Sequence, residues 1–480
     1  PKDVHYVITL DADTRLPRDA AARLIGKMAH PLNRPKFDER AQRVVDGYGI
    51  LQPRVTPALP IGRKGSFYQE IFSGPGGMDP YAAAVSDVYQ DLFGEGSYTG
   101  KGIYDIDAFE AALANRVPEN ALLSHDLFEG NFARAGLATD VEVIEEFPAR
   151  YDVNAKRQHR WARGDWQLVP WLIGRRSLSV PAIGRAKMLD NLRRSVLAPS
   201  ILAAIVVCWL LPPSVDAAGL LLLLATIAIP AIVPLIFSVL PQRPGILLLH
   251  HIARLGADLH LATARVLLTI AFLPDQAWRM GDAIVRTLAR LFVTRRHLLE
   301  WTTAAQSMGM PIPDLWGFYR EMTGGTLLGI GVAAASVVIL PSSWPLALVA
   351  ASLWVAAPVL AWWTSRSVAV PQDFIISEPD ALDLRSTARR TWRFFETFVT
   401  AADNMLPPDN FQEDPKPVIA HRTSPTNMGL YLLSAVAARD FGWAGTTETV
   451  DRLEATIGAM LKLQRFRGHF YNWYGTLDLH

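Results

Sequence analysis

The chain has 480 residues, a net charge of +1, 19% charged and 50% hydrophobic residues, and a mean hydropathy of +0.15. The near-neutral balance argues against a nucleic-acid partner, and the single cysteine, Cys208, excludes a disulfide framework or a cysteine-built metal site. At roughly 150 residues per domain, the length suits two or three domains. The chain starts at Pro1, runs at once into an apolar strand and stops in an aromatic stretch, so it reads as an internal piece of a longer protein.

Residues 1–170 read as α/β. The run Val4-His5-Tyr6-Val7-Ile8-Thr9-Leu10 has the look of a buried strand in a parallel sheet, and it ends in Asp11 and Asp13. Carboxylates spaced i, i+2 share one face of a continuing strand, at the edge where open α/β sheets bind ligands. Two hard oxygen donors there suit Mg²⁺ or Mn²⁺ on a diphosphate; the plainer alternative is a solvated Asp turn. A helix is expected over 15–30 and a short strand over 47–55. The glycine-rich passage 93–104 suits a loop close to a ligand, followed by a short helix from Asp107. Residues 121–126 repeat the opening pattern, an apolar run ending in Asp126, a candidate general base with His125 beside it. The stretch 156–167 gathers Lys156, Arg157, Arg160, Arg163, Trp161 and Trp166. Arginine forks bind phosphate oxygens and indoles stack on sugars, whereas a basic amphipathic helix on a membrane surface would have the same composition.

Residues 171–370 read as a transmembrane region with spans at 196–211, 217–240, 326–340 and 346–363. The last two are short and rich in Ala and Gly, which leaves buried soluble helices as the alternative. Between the pairs, 241–325 reads as a cytoplasmic loop holding an interfacial helix at 282–292, with an apolar face opposite Arg286 and Arg290. The outer turns lack Lys and Arg, so the positive-inside rule puts the catalytic part, the middle loop and the C-terminus in the cytoplasm. Residues 371–480 turn soluble again. Helices are expected at 380–401, 426–441 and 446–463, with an irregular loop over 405–417, as at the start of an (α/α) barrel; ordinary helical packing is the alternative.

The order of these features resembles that of processive, inverting glycosyltransferases with a GT-A (Rossmann-like) fold, such as cellulose and hyaluronan synthases. Those share an Asp-x-Asp pair, a catalytic Asp, a Gln-x-x-Arg-Trp helix, and then membrane and interfacial helices. The match is closer to the cyclic β-1,2-glucan synthase family. It rests on 9–15, 47–55, 93–107, 123–130, 157–167 and 295–301, and beyond the membrane part on 404–416, 422–434 and 465–474. Full-length members resemble a membrane glycosyltransferase, a glycoamylase-like α/α domain and a phosphorylase-like domain in series. This chain would hold the second half of the first and the start of the second.

The resemblance implies a UDP-glucose-dependent hexosyltransferase in the bacterial inner membrane, acting on a growing β-glucan chain amid membrane lipid. It implies Asp11 and Asp13 as the pair that binds Mg²⁺ or Mn²⁺, and Asp126 as the base. Arg160 and Trp161 match the diphosphate and acceptor pair, and Gln158, Gln52 and Arg54 are further substrate-binding candidates. Two positions depart from the broader pattern: Arg157 stands where Gln is expected, with Gln158 beside it, and His125 stands where many relatives place Glu. One rival is another membrane polysaccharide synthase of the cellulose-synthase type, which would lack the 404–474 stretch. A second is a membrane-anchored β-glucan hydrolase acting through the C-terminal domain. A transporter is disfavoured, because the four apolar segments carry no charge to mark a pathway.

Overall fold

A computed structural model describes residues 4–58, 65–73, 87–117, 121–123, 125–173, 179–209, 213–239, 248–300, 311–366 and 376–480. The turn expected at 212–216 begins outside these residues, and the domain start at 371 lies outside them. The N-terminal part is built on a five-stranded sheet. Its strands are β1 (Tyr6–Thr9), β2 (Thr14–Arg15), β5 (Ile50–Pro57), β6 (Gly102–Asp105) and β7 (Ala135–Glu145), ordered β1-β6-β5-β7-β2. Strands β3 (Lys36–Asp38) and β4 (Arg43–Asp46) form a separate hairpin. The sheet is mixed, not parallel: β5 runs parallel to β7, while β6 is antiparallel to both β1 and β5. β1 is the edge strand of the described sheet and is only half-buried, because nothing described pairs with its outer side.

Helix α1 (Ala20–Ala29) packs Ala20, Leu24 and Met28 on Leu51, Ile103 and Val141. It begins later than expected, since the chain first forms β2 and passes Pro17. Two short helices, α2 (Phe67–Phe72) and α3 (Val88–Phe93), start on the side chains of Ser66 and Asp87. Asp105 caps α4 (Ile106–Leu113) by accepting from the Ala108 N–H at 3.0 Å. The run 121–123 is not a strand; Leu122 is buried in the core, and α5 (Asp126–Ala133) begins at the acid itself. The cation-rich stretch is helical, within α6 (Tyr151–Gln167).

The membrane part differs from the expectation in which helices are long and apolar. Ala182–Trp209, Ala218–Ser238, Leu248–Thr294 and Pro341–Thr364 each qualify to cross a bilayer. They lie in α7 (Ala182–Trp209), α8 (Pro213–Ser238), α9 (Leu248–Ala289) and α12 (Trp344–Thr364). The span expected at 326–340 is the longer arm of a bent pair, α10 (Leu315–Glu321) and α11 (Thr323–Ile339), inclined by 67°. No residue in the most apolar stretch of Ala218–Ser238 is buried by protein, and Leu221, Leu222 and Phe237 stand widely exposed. Such an apolar surface is stable only with lipid around it, so the chain is a membrane protein.

The region expected to be a loop, 241–325, contains the 42-residue α9. Its charges, from Arg254 to Arg286, break up any continuous apolar run, which hid the helix from a linear reading; the apolar residues recur at helical spacing instead. The expected interfacial helix at 282–292 is only its C-terminal end. α9 packs against α2, α6, α7, α8, α11 and α12. Leu268 and Phe272 meet Tyr68, Tyr151 and Ala357 there. Close contact between α9 and α11 depends on small residues: a Cβ on Gly325 would lie 2.3 Å from the Asp275 Cα.

In the C-terminal part, α13 (Glu378–Phe398), α14 (Pro425–Asp440) and α15 (Thr446–Lys462) pack together, α13 and α14 around Trp392 and Tyr431. This part is latched to the sheet. The Glu142 carboxylate accepts from the Thr446 N–H and from Thr446 Oγ1 at 3.0 Å, and Arg54 Nη2 donates to Thr447 Oγ1 at 3.1 Å. The cap position of α15 is Gly445, which has no side chain to do this, so a carboxylate from β7 does it instead.

Candidate active site

The ends of three strands converge on one sheet edge. Asp11 and Asp13 follow β1, Lys101 precedes the antiparallel β6, and Glu145 closes β7. The strand does not continue through the two aspartates. A turn closed by the Thr14 N–H on the Asp11 carbonyl (3.0 Å) brings them together. Asp11, Asp13 and Glu145 each offer a carboxylate oxygen, all within 4.8 Å of one another. Three hard oxygen donors at an open edge fit a divalent cation that keeps waters and takes further oxygens from a phosphate.

Lys101 Nζ bridges this set, 2.7 Å from Asp11 Oδ2 and 3.2 Å from Glu145 Oε2, and is buried. Burial alone would lower its pKa, but Glu145 and Asp11 outweigh that and raise it. Glu145 is raised by burial against the pull of Lys101 and Arg157. Arg157, which occupies the expected Gln position, is buried 3.6 Å from Glu145, with its guanidinium 4.7 Å over the Trp161 ring. Neighbouring Gln158 is exposed.

Asp126 reaches the same edge from the first turn of α5. Its carboxyl packs on Gly100, where φ is +86° and a Cβ would come within 3.0 Å of Oδ2. Glycine therefore suits this position on two counts, the left-handed backbone and the close approach. Burial, then the Glu129 charge, push the Asp126 carboxyl up to about 6. His125 pairs with Glu129 and its pKa is raised chiefly by that bond; its ring and the Asp126 and Glu129 carboxylates each offer an atom within 4.8 Å of the others. Arg160 faces the centre: burial lowers its pKa, and Asp11, Asp126, Asp13 and Glu145 oppose that. Trp161 is partly exposed beside it.

Two sequence candidates are held by protein partners. Gln52 is fully buried, and its Oε1 accepts from Thr99 N (2.6 Å) and Thr99 Oγ1 (3.0 Å), so it shapes the glycine-rich loop. Arg54 lies at the latch, 3.5 Å from Glu142. Conversely, Lys101 and Glu145 belong to the site and were not singled out in the sequence. Glu145 carried the same signal as Asp11, an apolar run (Val141, Val143, Ile144) that ends in an acid.

No family model matches the chain. Over its whole length it is similar to the cyclic beta-(1,2)-glucan synthase NdvB of Rhizobium meliloti (strain 1021), at 48% identity over 483 residues. The chain spans only 17% of that relative's length. The residues that build the carboxylate edge, the cation-bearing helix and the membrane helices thus lie in a chain that is similar, over its whole length, to one segment of a cyclic β-(1,2)-glucan synthase.

Proposed function

We propose that the chain carries the catalytic edge of an inverting, processive glucosyltransferase of GT-A fold that uses UDP-glucose to build β-1,2-glucan. The observation that carries this reading is the meeting of Asp126 with the Asp11, Asp13 and Glu145 set and Arg160 at one sheet edge. Asp11, Asp13 and Glu145 would hold Mg²⁺ or Mn²⁺, which supplies neutralising charge for a diphosphate when bound. Arg160 adds a fixed cation toward the same leaving group. Asp126 is buried and its pKa is raised, so above about pH 6 it is an ionised, poorly solvated carboxylate able to take a proton from an acceptor hydroxyl. The 2-hydroxyl is the acceptor if the product matches the name of the relative. Trp161 offers an exposed indole face for a sugar.

The acceptor oxygen attacks the anomeric carbon on the face opposite the diphosphate, so the new glycosidic bond forms as the bond to the diphosphate breaks and the configuration inverts, with Asp126 taking the hydroxyl proton. The helices α13–α15 are the proposed start of a glycoamylase-like (α/α) domain, and the sheet side of the membrane is the proposed cytoplasmic side. The test is incorporation of radiolabelled glucose from UDP-glucose by membranes carrying the full-length protein or its Asp126→Asn variant. A fall of about 10²–10⁴-fold with folding intact supports the base assignment. Near-normal incorporation by the variant would remove Asp126 from the reaction. No incorporation by the parent, with β-glucan hydrolysis intact, would move the activity to the C-terminal part.

A further inference from the structure

A second site lies on the other side of α6, toward α9. A cavity of about 520 Å³ there is lined by Lys156, Arg163, Arg279, Arg286 and Arg290, and by Arg160, which it shares with the catalytic edge and whose charge the acids there oppose, against three carboxylates, Asp282, Glu300 and Glu321. A neighbouring hollow of about 630 Å³ shares Arg286 and Arg290 and adds Arg296 and His297. Most of these cations have a carboxylate partner. Lys156 pairs with Glu321, Arg279 with Asp275 behind the wall, Arg286 with Asp282 and Arg290 with Glu300, at 2.7–2.8 Å.

Arg163 does not. It is 7% exposed, and its Nη1 donates only to the Glu300 carbonyl (2.8 Å). Its Nη2 lies 3.5 Å from the Leu298 carbonyl, and its buried Nε has no partner among the described residues. Burial lowers the pKa of Arg163, and Arg290 and Arg286 lower it further against the opposing pull of Glu300 and Asp282, so the three guanidiniums repel one another. The His159 pKa is likewise lowered by burial, which outweighs the hydrogen bond and charge of Asp282, and Arg163 and Arg286 add to the lowering. Residues 301–310, next along the chain, contain no charged side chain.

An excess of positive charge in a partly buried hollow is costly unless an anion offsets it. A neutral sugar would not relieve it, whereas guanidinium forks match phosphate oxygens. The helix end that supplies Arg286 and Arg290 also presents Val285, Phe292 and Val293 to the outside. Basic and apolar groups side by side at the end of a membrane-contacting helix mark a water–lipid boundary, where phosphate headgroups are presented. We propose that Arg163, Arg286 and Arg290 form a binding site for a phosphate-bearing ligand, distinct from the carboxylate set of the catalytic edge and adjoining it at Arg160.

This inference does not rest on the glucosyltransferase reading, and its test uses no nucleotide sugar. The full-length protein in neutral detergent is titrated calorimetrically with dihexanoyl phosphatidylglycerol and with inorganic phosphate. Saturable binding is expected, weakened about tenfold or more in Arg163→Gln and in Arg290→Gln and retained in Asp13→Asn. Tighter binding of the lipid assigns the site to a headgroup; equal binding assigns it to free phosphate. Arg290, on the rim, serves as the second variant should the buried Arg163→Gln fail to fold. Three results would overturn the site: no saturable binding of either probe, binding indifferent to both arginine changes, or binding lost in Asp13→Asn. Binding of a neutral β-glucan oligosaccharide in place of phosphate would also overturn it.

Discussion

Helix α6 separates two regions of opposite electrostatic character. Toward the sheet edge, Arg157 and Arg160 face Asp11, Asp13, Asp126 and Glu145, and Lys101 already sits among the acids. Toward α9, Arg163 and His159 face further arginines, and one guanidinium is left without a carboxylate among the described residues. The first region carries surplus negative charge at a place open to solvent, and the second carries surplus positive charge in a hollow. Similar side chains on one helix thus acquire different chemistry from what the neighbouring elements bring to them.

The contrast can be broken in graded ways. After Asp126, the largest effect is expected at Arg160: Arg160→Gln removes the cation that faces a leaving diphosphate and lowers glucose incorporation about 10²–10³-fold. Unchanged incorporation would detach Arg160 from the reaction. Next is Lys101→Met, which deletes the internal cation of the acidic set. Mn²⁺ binding followed by electron paramagnetic resonance should tighten about tenfold, and weaker binding would show that Lys101 builds the set instead of competing for it.

A smaller change is read from pH. Because Asp126 must be ionised to accept a proton, incorporation should fall as pH drops through about 6. Glu129→Gln removes a charge that raises Asp126, so the acid limb should move to lower pH; a shift to higher pH would contradict the electrostatics. For stability the sign is the reverse of the usual carboxylate. The folded value lies above the ordinary 3.8, so ionising Asp126 costs stability, a cost fully present above about pH 6 and absent below 3.8. The smallest effect is at the latch. Glu142→Ala removes the carboxylate that pairs with Arg54 and caps α15 and should cost about 1–3 kcal/mol, measured by denaturant unfolding. It should leave Mn²⁺ binding as it was.

Much of the site was legible because its signals are local. An apolar run ending in Asp marks Asp11, and a cluster of Arg and Trp at helical spacing marks α6. The distant groupings were not legible: Asp126 meets Gly100 and Glu145 meets Lys101 only through the order of strands, which no short window contains. Arg54 shows the converse. It looked like a ligand-facing cation, but its partner is Glu142, brought to it by the β5–β7 register. In the membrane part, the short apolar runs were visible, while α9 was hidden because its apolar face is interrupted by charge in sequence and continuous only in three dimensions.

The carboxylate of Glu142 that caps α15 has a practical consequence for dividing the protein. A piece containing only the helical part would begin its third helix on bare Gly445, with the Thr446 N–H turned to water. The sheet left behind would expose Arg54 and Glu142 where they had been sealed. Cutting between residues 366 and 376 therefore does not yield two intact halves, and the first turn of α15 should exchange its amide hydrogens faster in the isolated piece than in the whole chain.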